Sequence, residues 1–258
     1  HGERAVLRLL DKSAVNLQLE SIGMAGNLLL QVSEVLKQPN GLFLVTGPTG
    51  SGKTTTLYAA LKRLNALQVN IMTVEDPVEY ELPGIGQTQV NSKIDLTFSS
   101  ALRSILRQDP DVIMIGEIRD AETARIAVQA SLTGHLVIAT LHTNDAPSAV
   151  TRLTDMGVEP YLLSSSLLGV LGQRLVRKIC LACEGKGCVS CGHSGYLGRV
   201  GVFEMMRVNE RIRQLIHDGA AEADVRDAAI DSSMLPMRTY GQSLVDDGIT
   251  THEELLRV

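Results

Sequence analysis

The chain has 258 residues, 44% of them hydrophobic and 21% charged, a globular composition that supplies a sizeable core. A net charge of -5 argues against nucleic-acid binding through bulk charge, and three phenylalanines without tryptophan offer little surface for stacking single strands. No apolar run of about 18 residues occurs, so neither a membrane-spanning helix nor a secretory leader is expected. The chain opens on His1 rather than Met, and is expected to begin inside a longer protein.

In chain order, Ala5 to Leu10 reads as a strand, the tail of a preceding element. Residues 28–37 have helical spacing at Leu28, Leu29, Val32, Val35 and Leu36. The apolar run 42–46 reads as a buried strand. It is followed by Gly47-Pro48-Thr49-Gly50-Ser51-Gly52-Lys53-Thr54, the G-x-x-x-x-G-K-T phosphate-binding pattern, and then Thr55. Glycines let backbone approach phosphate oxygens, and the N-terminus of the next helix adds positive potential. Lys53 is suited to the β- and γ-phosphates and Thr54 to Mg²⁺. Helical spacing follows over residues 53–67.

Three more apolar runs, 71–74, 112–115 and 136–141, alternate with helical stretches. That pattern indicates a parallel sheet covered on both faces, with ligands at the carboxyl ends of its strands. The residues at those ends are Gly47 onward, Glu75 and Asp76, Glu117, and His142. Glu117 closes a strand of Walker B type and is placed to polarise water or to reach Mg²⁺. Glu75, Asp76 and Glu79 can orient water or metal, or form an ordinary solvated acidic loop. His142 can hydrogen-bond a terminal phosphate; His135 precedes its strand and is expected farther away. Arg103, Arg107, Arg119, Arg125 and Arg152 include candidates for an arginine supplied between subunits. Residues 162–175 are apolar and short, and read as a buried helix.

Cys180-x2-Cys183-x4-Cys188-x2-Cys191 offers four thiolates, which suit tetrahedral Zn²⁺; a redox pair is the rival and an Fe–S cluster has poorer spacing. Beyond Val202-Phe203-Glu204 the tail reads as short helices. Asn209 caps one, Asp247-Gly248 closes another, and Thr251-x-x-Glu254 is a capping box for the last.

Together the phosphate loop, Glu75-Asp76-Pro77-Val78-Glu79, the segment from Leu106 to Asp120 and the segment from Leu132 to Asn144 resemble the Walker A, Asp, Walker B and His boxes of secretion ATPases. These are the hexameric motors of type II secretion and type IV pili. The resemblance covers residues 5 to about 206. The cysteine module is similar to that of type II secretion and pilus-assembly ATPases and is absent from pilus-retraction motors. Residues 84–91 and 164–171 are worded closer to type II secretion.

The resemblance implies an α/β fold: a RecA-like P-loop NTPase core with a mostly parallel sheet, a small tetracysteine metal-binding module and a C-terminal helical region. The expected divisions are 1–20, 21–178, 179–198 and 199–258. It further implies ATP, Mg²⁺ and Zn²⁺, a homo-hexamer, and inner-membrane platform proteins reached through a missing N-terminal region, with no nucleic acid. Its place is the cytoplasm, peripheral on the bacterial inner membrane. The implied activity is ATP hydrolysis powering protein export. Pilus assembly is the alternative, with a nucleic-acid translocase or a nucleotide-dependent switch further off. Members usually carry a longer insert between the two cysteine pairs, so a loop between Cys183 and Cys188 is expected to be missing; an unbroken backbone there overturns this.

Overall fold

The computed structural model describes Gly2 and residues 17–64 and 69–257. The expected strand over residues 5–10 lies outside them. Helix α1 (Gly26–Leu36) leads into strand β1 (Gly41–Thr46), whose six residues are all buried. Leu42 and Leu44 enter one core cluster and Phe43 and Val45 the other, because successive strand side chains point to opposite faces. A strand sandwiched this way reads as a continuous apolar run rather than an alternating one.

Helix α2 (Lys53–Arg63) follows the glycine loop. It ends short of the expected residue 67, because Leu64 turns to an extended backbone. Then come β2 (Ile71–Glu75), β3 (Gly86–Gln89), α3 (Phe98–Ile105), β4 (Val112–Ile115), α4 (Ala121–Leu132) and β5 (Leu136–Leu141). After α5 (Ser148–Asp155) and α6 (Pro160–Ser166), a long hairpin is made by β6 (Leu167–Ile179) and β7 (Tyr196–Arg207). The sheet runs β3-β2-β4-β5-β1-β6-β7, parallel throughout except for the β6–β7 pair. Thr46 lies beside Leu141, and Ile115 beside both Val74 and Ala139. The ends of β1, β2, β4 and β5 therefore open on one edge, as the sequence indicates.

The buried helix expected over residues 162–175 is corrected: only α6 is helical, and from Leu167 the chain is strand. Periodicity cannot separate a buried strand from a buried helix in so short a run. Pairing decides it, with β6 joined to β1 on one side and β7 on the other. Its glycines fit that role. A Cβ on Gly169 would sit 2.9 Å from the Met206 carbonyl, and one on Gly172 would sit 2.8 Å from the Glu204 side chain. The hairpin carries the sheet through residue 199, the first residue of the expected C-terminal division.

Helices α7 (Glu210–His217), α8 (Glu222–Asp231), α9 (Met237–Asp246) and α10 (His252–Leu255) complete the chain. Asn209 caps α7 by accepting from the Ile212 N–H at 2.9 Å, and Gly248 takes φ 69° just past α9. Thr251 accepts from the Glu254 N–H at 3.3 Å, but the reciprocal half of the capping box is replaced by a different bond. Glu254 is buried and receives Arg177 through Nε at 3.0 Å and a terminal nitrogen at 2.7 Å, as well as the Arg177 backbone N–H at 3.1 Å. These bonds hold the Glu254 carboxyl below the usual carboxylate range. A depressed carboxylate contributes stability above its unfolded pKa and loses it as pH falls through the folded one. Glu254→Gln is therefore expected to lower the melting temperature at pH 7, with the gap to the parent narrowing as pH drops below about 4.5. Melting curves at stepped pH measure this; a gap that is constant with pH contradicts it.

Candidate active site

The loop between β1 and α2 turns through Gly47, Gly50 and Gly52 at φ 148°, 80° and 88°. Gly47 admits no side chain: a Cβ there would collide with the Gln173 carbonyl. Lys53 is buried at the first position of α2, and its Nζ donates to the carbonyls of Gly47 and Pro48 at 2.7 and 2.9 Å. Burial pulls its ammonium below the ordinary lysine range, and the charge of Glu117 pushes the other way. Ser51 Oγ is buried with no hydrogen-bond partner among the described residues. Thr46 ties the strand ends together, its hydroxyl 2.5 Å from that of Thr143 and accepting from the Thr143 N–H at 3.0 Å.

Thr49, Gly50, Gly52, Lys53, Thr54 and Thr55 line a cavity of about 480 Å³ whose far wall carries Asp76, Glu79, Glu117, Arg119 and His142. Glu117, two residues beyond β4, receives Arg119 Nε on one oxygen at 2.7 Å and faces His142 Nε2 with the other at 2.9 Å. Arg119 also reaches Asp76 at 3.4 Å. The hydrogen bond to Glu117 raises the Arg119 pKa further above its ordinary value. Three of the four strand ends thus meet in one charged cluster facing the glycine loop. Hard oxygen donors at Thr54, Asp76 and Glu117 around one cavity are a donor set that fits Mg²⁺.

Glu75 also lines this cavity, but its carboxylate is held from below. It shares a strand face with Thr73 and is buried, receiving Tyr58 Oη, Thr73 Oγ1 at 2.5 Å and Gln87 Nε2 at 3.0 Å. Burial and the bond to Glu75 push the Tyr58 phenol well above its ordinary value. Tyr58 in turn accepts from the Glu79 N–H at 3.1 Å, so Glu75 organises the acidic loop from beneath.

Arg103 and Arg107 stand apart from the cavity. Arg103 pairs with Glu122 at 2.6 Å, and Arg107 donates to the Arg103 carbonyl at 2.9 Å. His135 sits at the opposite end of β5, its Nδ1 3.0 Å from the Ala130 carbonyl. Two residues were not legible as site residues. Arg199 on β7 lines the cavity, and Gln173 on β6 bonds to the glycine loop. The one signal for Gln173 is an uncharged polar residue inside an apolar run.

The four cysteines converge. All ligand atoms of Cys180, Cys183, Cys188 and Cys191 lie within 4.8 Å of one another. Sγ separations of 3.9 Å for Cys180–Cys188 and 3.8 Å for Cys183–Cys191 and Cys188–Cys191 match the edge of a tetrahedron with Zn–S bonds of about 2.3 Å. The Cys188 N–H donating to Cys191 Sγ lowers that thiol to about 6, whereas burial raises Cys183 to about 11. The spacer is short and closes as a tight turn, in which Lys186 N–H donates to the Cys183 carbonyl at 2.9 Å. Gly187, at φ 91°, makes this turn possible.

A glycine loop between a parallel strand and a helix, faced by carboxylates at neighbouring strand ends, defines a P-loop nucleotide-binding protein on a RecA-like sheet. The family described as Type II/IV secretion system protein matches residues 1–257, and the chain belongs to that family. It is 62% identical to the type II secretion system protein HxcR of Pseudomonas aeruginosa, covering 100% of this chain and 57% of that protein. It is 52% identical to the type II secretion system ATPase E of Vibrio cholerae, with 100% and 56% covered. The chain thus spans little more than half the length of these relatives. Among solved structures, the pilus retraction motor PilT with bound ADP superposes with a TM-score of 0.77 at 33% identity, over 96% of this chain and 68% of that one.

Proposed function

We propose that this chain is the ATP-hydrolysing motor portion of a type II secretion ATPase. The observation that carries the reading is the position of Glu117, held between Arg119 and His142 and facing the glycine loop across one cavity. In this reading the N–H groups of residues 49–54 and Lys53 bind the phosphates. Thr54 and the nearby carboxylates would hold Mg²⁺, which neutralises phosphate charge when bound. Glu117 orients a water and takes its proton as the water oxygen bonds to the γ-phosphorus and the bond to ADP breaks. Asp76 and Glu79 shape the far wall, and His142 and Arg119 hold the Glu117 carboxylate in place. Glu75 acts through Tyr58 and the loop above it.

Arg103 and Arg107 lie outside this chain's own cavity, and would leave their present partners to face a neighbouring subunit in a homo-hexamer. The platform of the inner membrane would be reached through an N-terminal region outside this chain, with the motor working at the cytoplasmic face. The similarity to type II secretion proteins favours this over pilus assembly. Turnover of ATP measured against protein concentration tests it. Activity rising steeply as subunits assemble is expected; negligible turnover at every concentration means a binding switch instead, and stimulation by DNA means a translocase.

The cysteine cluster is proposed to hold one structural Zn²⁺. Elemental analysis of protein purified without chelator is expected to give about one zinc per chain, falling to background in Cys183→Ser/Cys188→Ser. Metal-free protein whose melting temperature is unchanged by added zinc would remove this role.

A further inference from the structure

The geometry points to Gln173 as a positioning residue that aims the backbone of the phosphate loop, an inference that rests on the nucleotide-binding reading of the site. Gln173 lies one residue past the point where β6 pairs with Thr46, level with the start of the loop, and is 2% exposed. Its Oε1 accepts from Thr56 Oγ1 at 2.7 Å, and its Nε2 donates to the Ser51 carbonyl at 2.8 Å. Its own carbonyl fills the space where a Gly47 Cβ would be, and its Nε2 lies 2.8 Å from where a Gly52 Cβ would be. One buried side chain and its backbone therefore meet the loop at its first residue, its last glycine and the first turn of α2.

The amide orientation is settled by its partners. The Ser51 carbonyl can only accept, so it faces the nitrogen; the oxygen is then left for Thr56, whose hydroxyl donates to it. The consequence for the loop follows from the planarity of the peptide. In a trans peptide the C=O and the next N–H point in opposite directions. Turning the Ser51 carbonyl toward Gln173 turns the Gly52 N–H away from it, toward the cavity that Gly52 lines. An N–H aimed this way is the group that a phosphate loop offers to phosphate oxygens. Glycines at 50 and 52 leave the loop free to turn elsewhere, and Gln173 removes that freedom at the peptide where direction matters.

Two substitutions separate aim from stability. Gln173→Met fills the same space and makes neither bond. Gln173→Glu keeps the acceptor for Thr56 but sets a carboxylate oxygen against the Ser51 carbonyl; once protonated, it regains a donor. In the full-length protein, Mg-ADP affinity by calorimetry is expected to fall about ten-fold in Gln173→Met with the melting temperature within a few degrees of the parent. In Gln173→Glu the affinity relative to the parent is expected to be lower still at pH 8 and to recover as the pH is lowered. In protein without nucleotide, hydrogen exchange of peptides covering residues 47–56 is expected to speed up in both variants at pH 8. Parent-like affinity together with parent-like exchange overturns the inference, as does a loss that follows melting temperature alone with no recovery in Gln173→Glu. Failure of the parent itself to bind Mg-ADP sinks the nucleotide reading, and the exchange rates then still decide whether Gln173 grips the loop.

Discussion

Glu117→Gln is expected to lower ATP turnover by about 10²–10⁴-fold while leaving nucleotide affinity close to that of the parent. The substitution keeps size and shape but removes the charge and the basic oxygen. In the parent, one carboxylate oxygen accepts from Arg119 and the other faces His142. An amide in that place keeps one acceptor for Arg119 and presents an NH₂ group to His142 Nε2, so it can keep the geometry but cannot take a proton from water. The phosphate seat on the glycine loop is not touched, which is why binding survives. Turnover of the assembled variant at saturating ATP, beside its ADP affinity, gives both numbers. Parent-like turnover would end the role assigned to Glu117. A fall in turnover that matches an equal fall in affinity would move the residue from chemistry to binding.

Lys53→Ala is expected to remove nucleotide binding and turnover together, by at least about 10²-fold in turnover. Lys53 is a buried cation whose pKa is pulled down by burial, so its charge is held at a cost to folding. In the chain alone it is turned onto the carbonyls of Gly47 and Pro48. Anionic phosphates give that charge a better partner. Alanine relieves the desolvation and opens the space that Lys53 fills, through which water from the cavity can reach the two carbonyls, so the melting temperature should stay within a few degrees of the parent. A large drop in melting temperature would mean that Lys53 holds the loop together rather than waiting for phosphate. Residues poised for a charged ligand commonly lower stability in its absence.

The sheet's centre was legible because β1, β2, β4 and β5 are buried on both faces and form apolar runs with polar residues gathered near their ends. β6 was not. Leu167 to Leu171 is equally apolar, but which neighbour it pairs with is a long-range fact, and a run of that length fits a helix as well. β3 escaped notice for the opposite reason. Gly86–Gln89 is polar and half-exposed, and backbone pairing with β2 alone makes it a strand. At the site, sequence placed Glu75 and Glu117 at strand ends and favoured Glu117 as the residue that polarises water, but it gave no sign of what would hold Glu75. Glu75 is the last residue within its strand, on the face of Thr73, and is absorbed by Tyr58 and Gln87. Glu117 is two residues beyond its strand and faces the cavity. The cysteine cluster was legible as four thiols that converge, since each C-x2-C turn already brings two sulfurs together.

Strand β6 touches the phosphate loop at Gln173 and runs on to Ile179, immediately before Cys180, a span of about 20 Å. Its pairing with β7 is regular up to Arg177 and shifts between Arg177 and Ile179. There Arg177 lies 4.2 Å over the Tyr196 ring and is clamped to Glu254 of α10. Mechanically this is a lever with a braced joint. Its long arm starts at the phosphate loop, its short arm carries the cysteine cluster, and the bond from Arg177 to Glu254 ties the joint to the C-terminal helix.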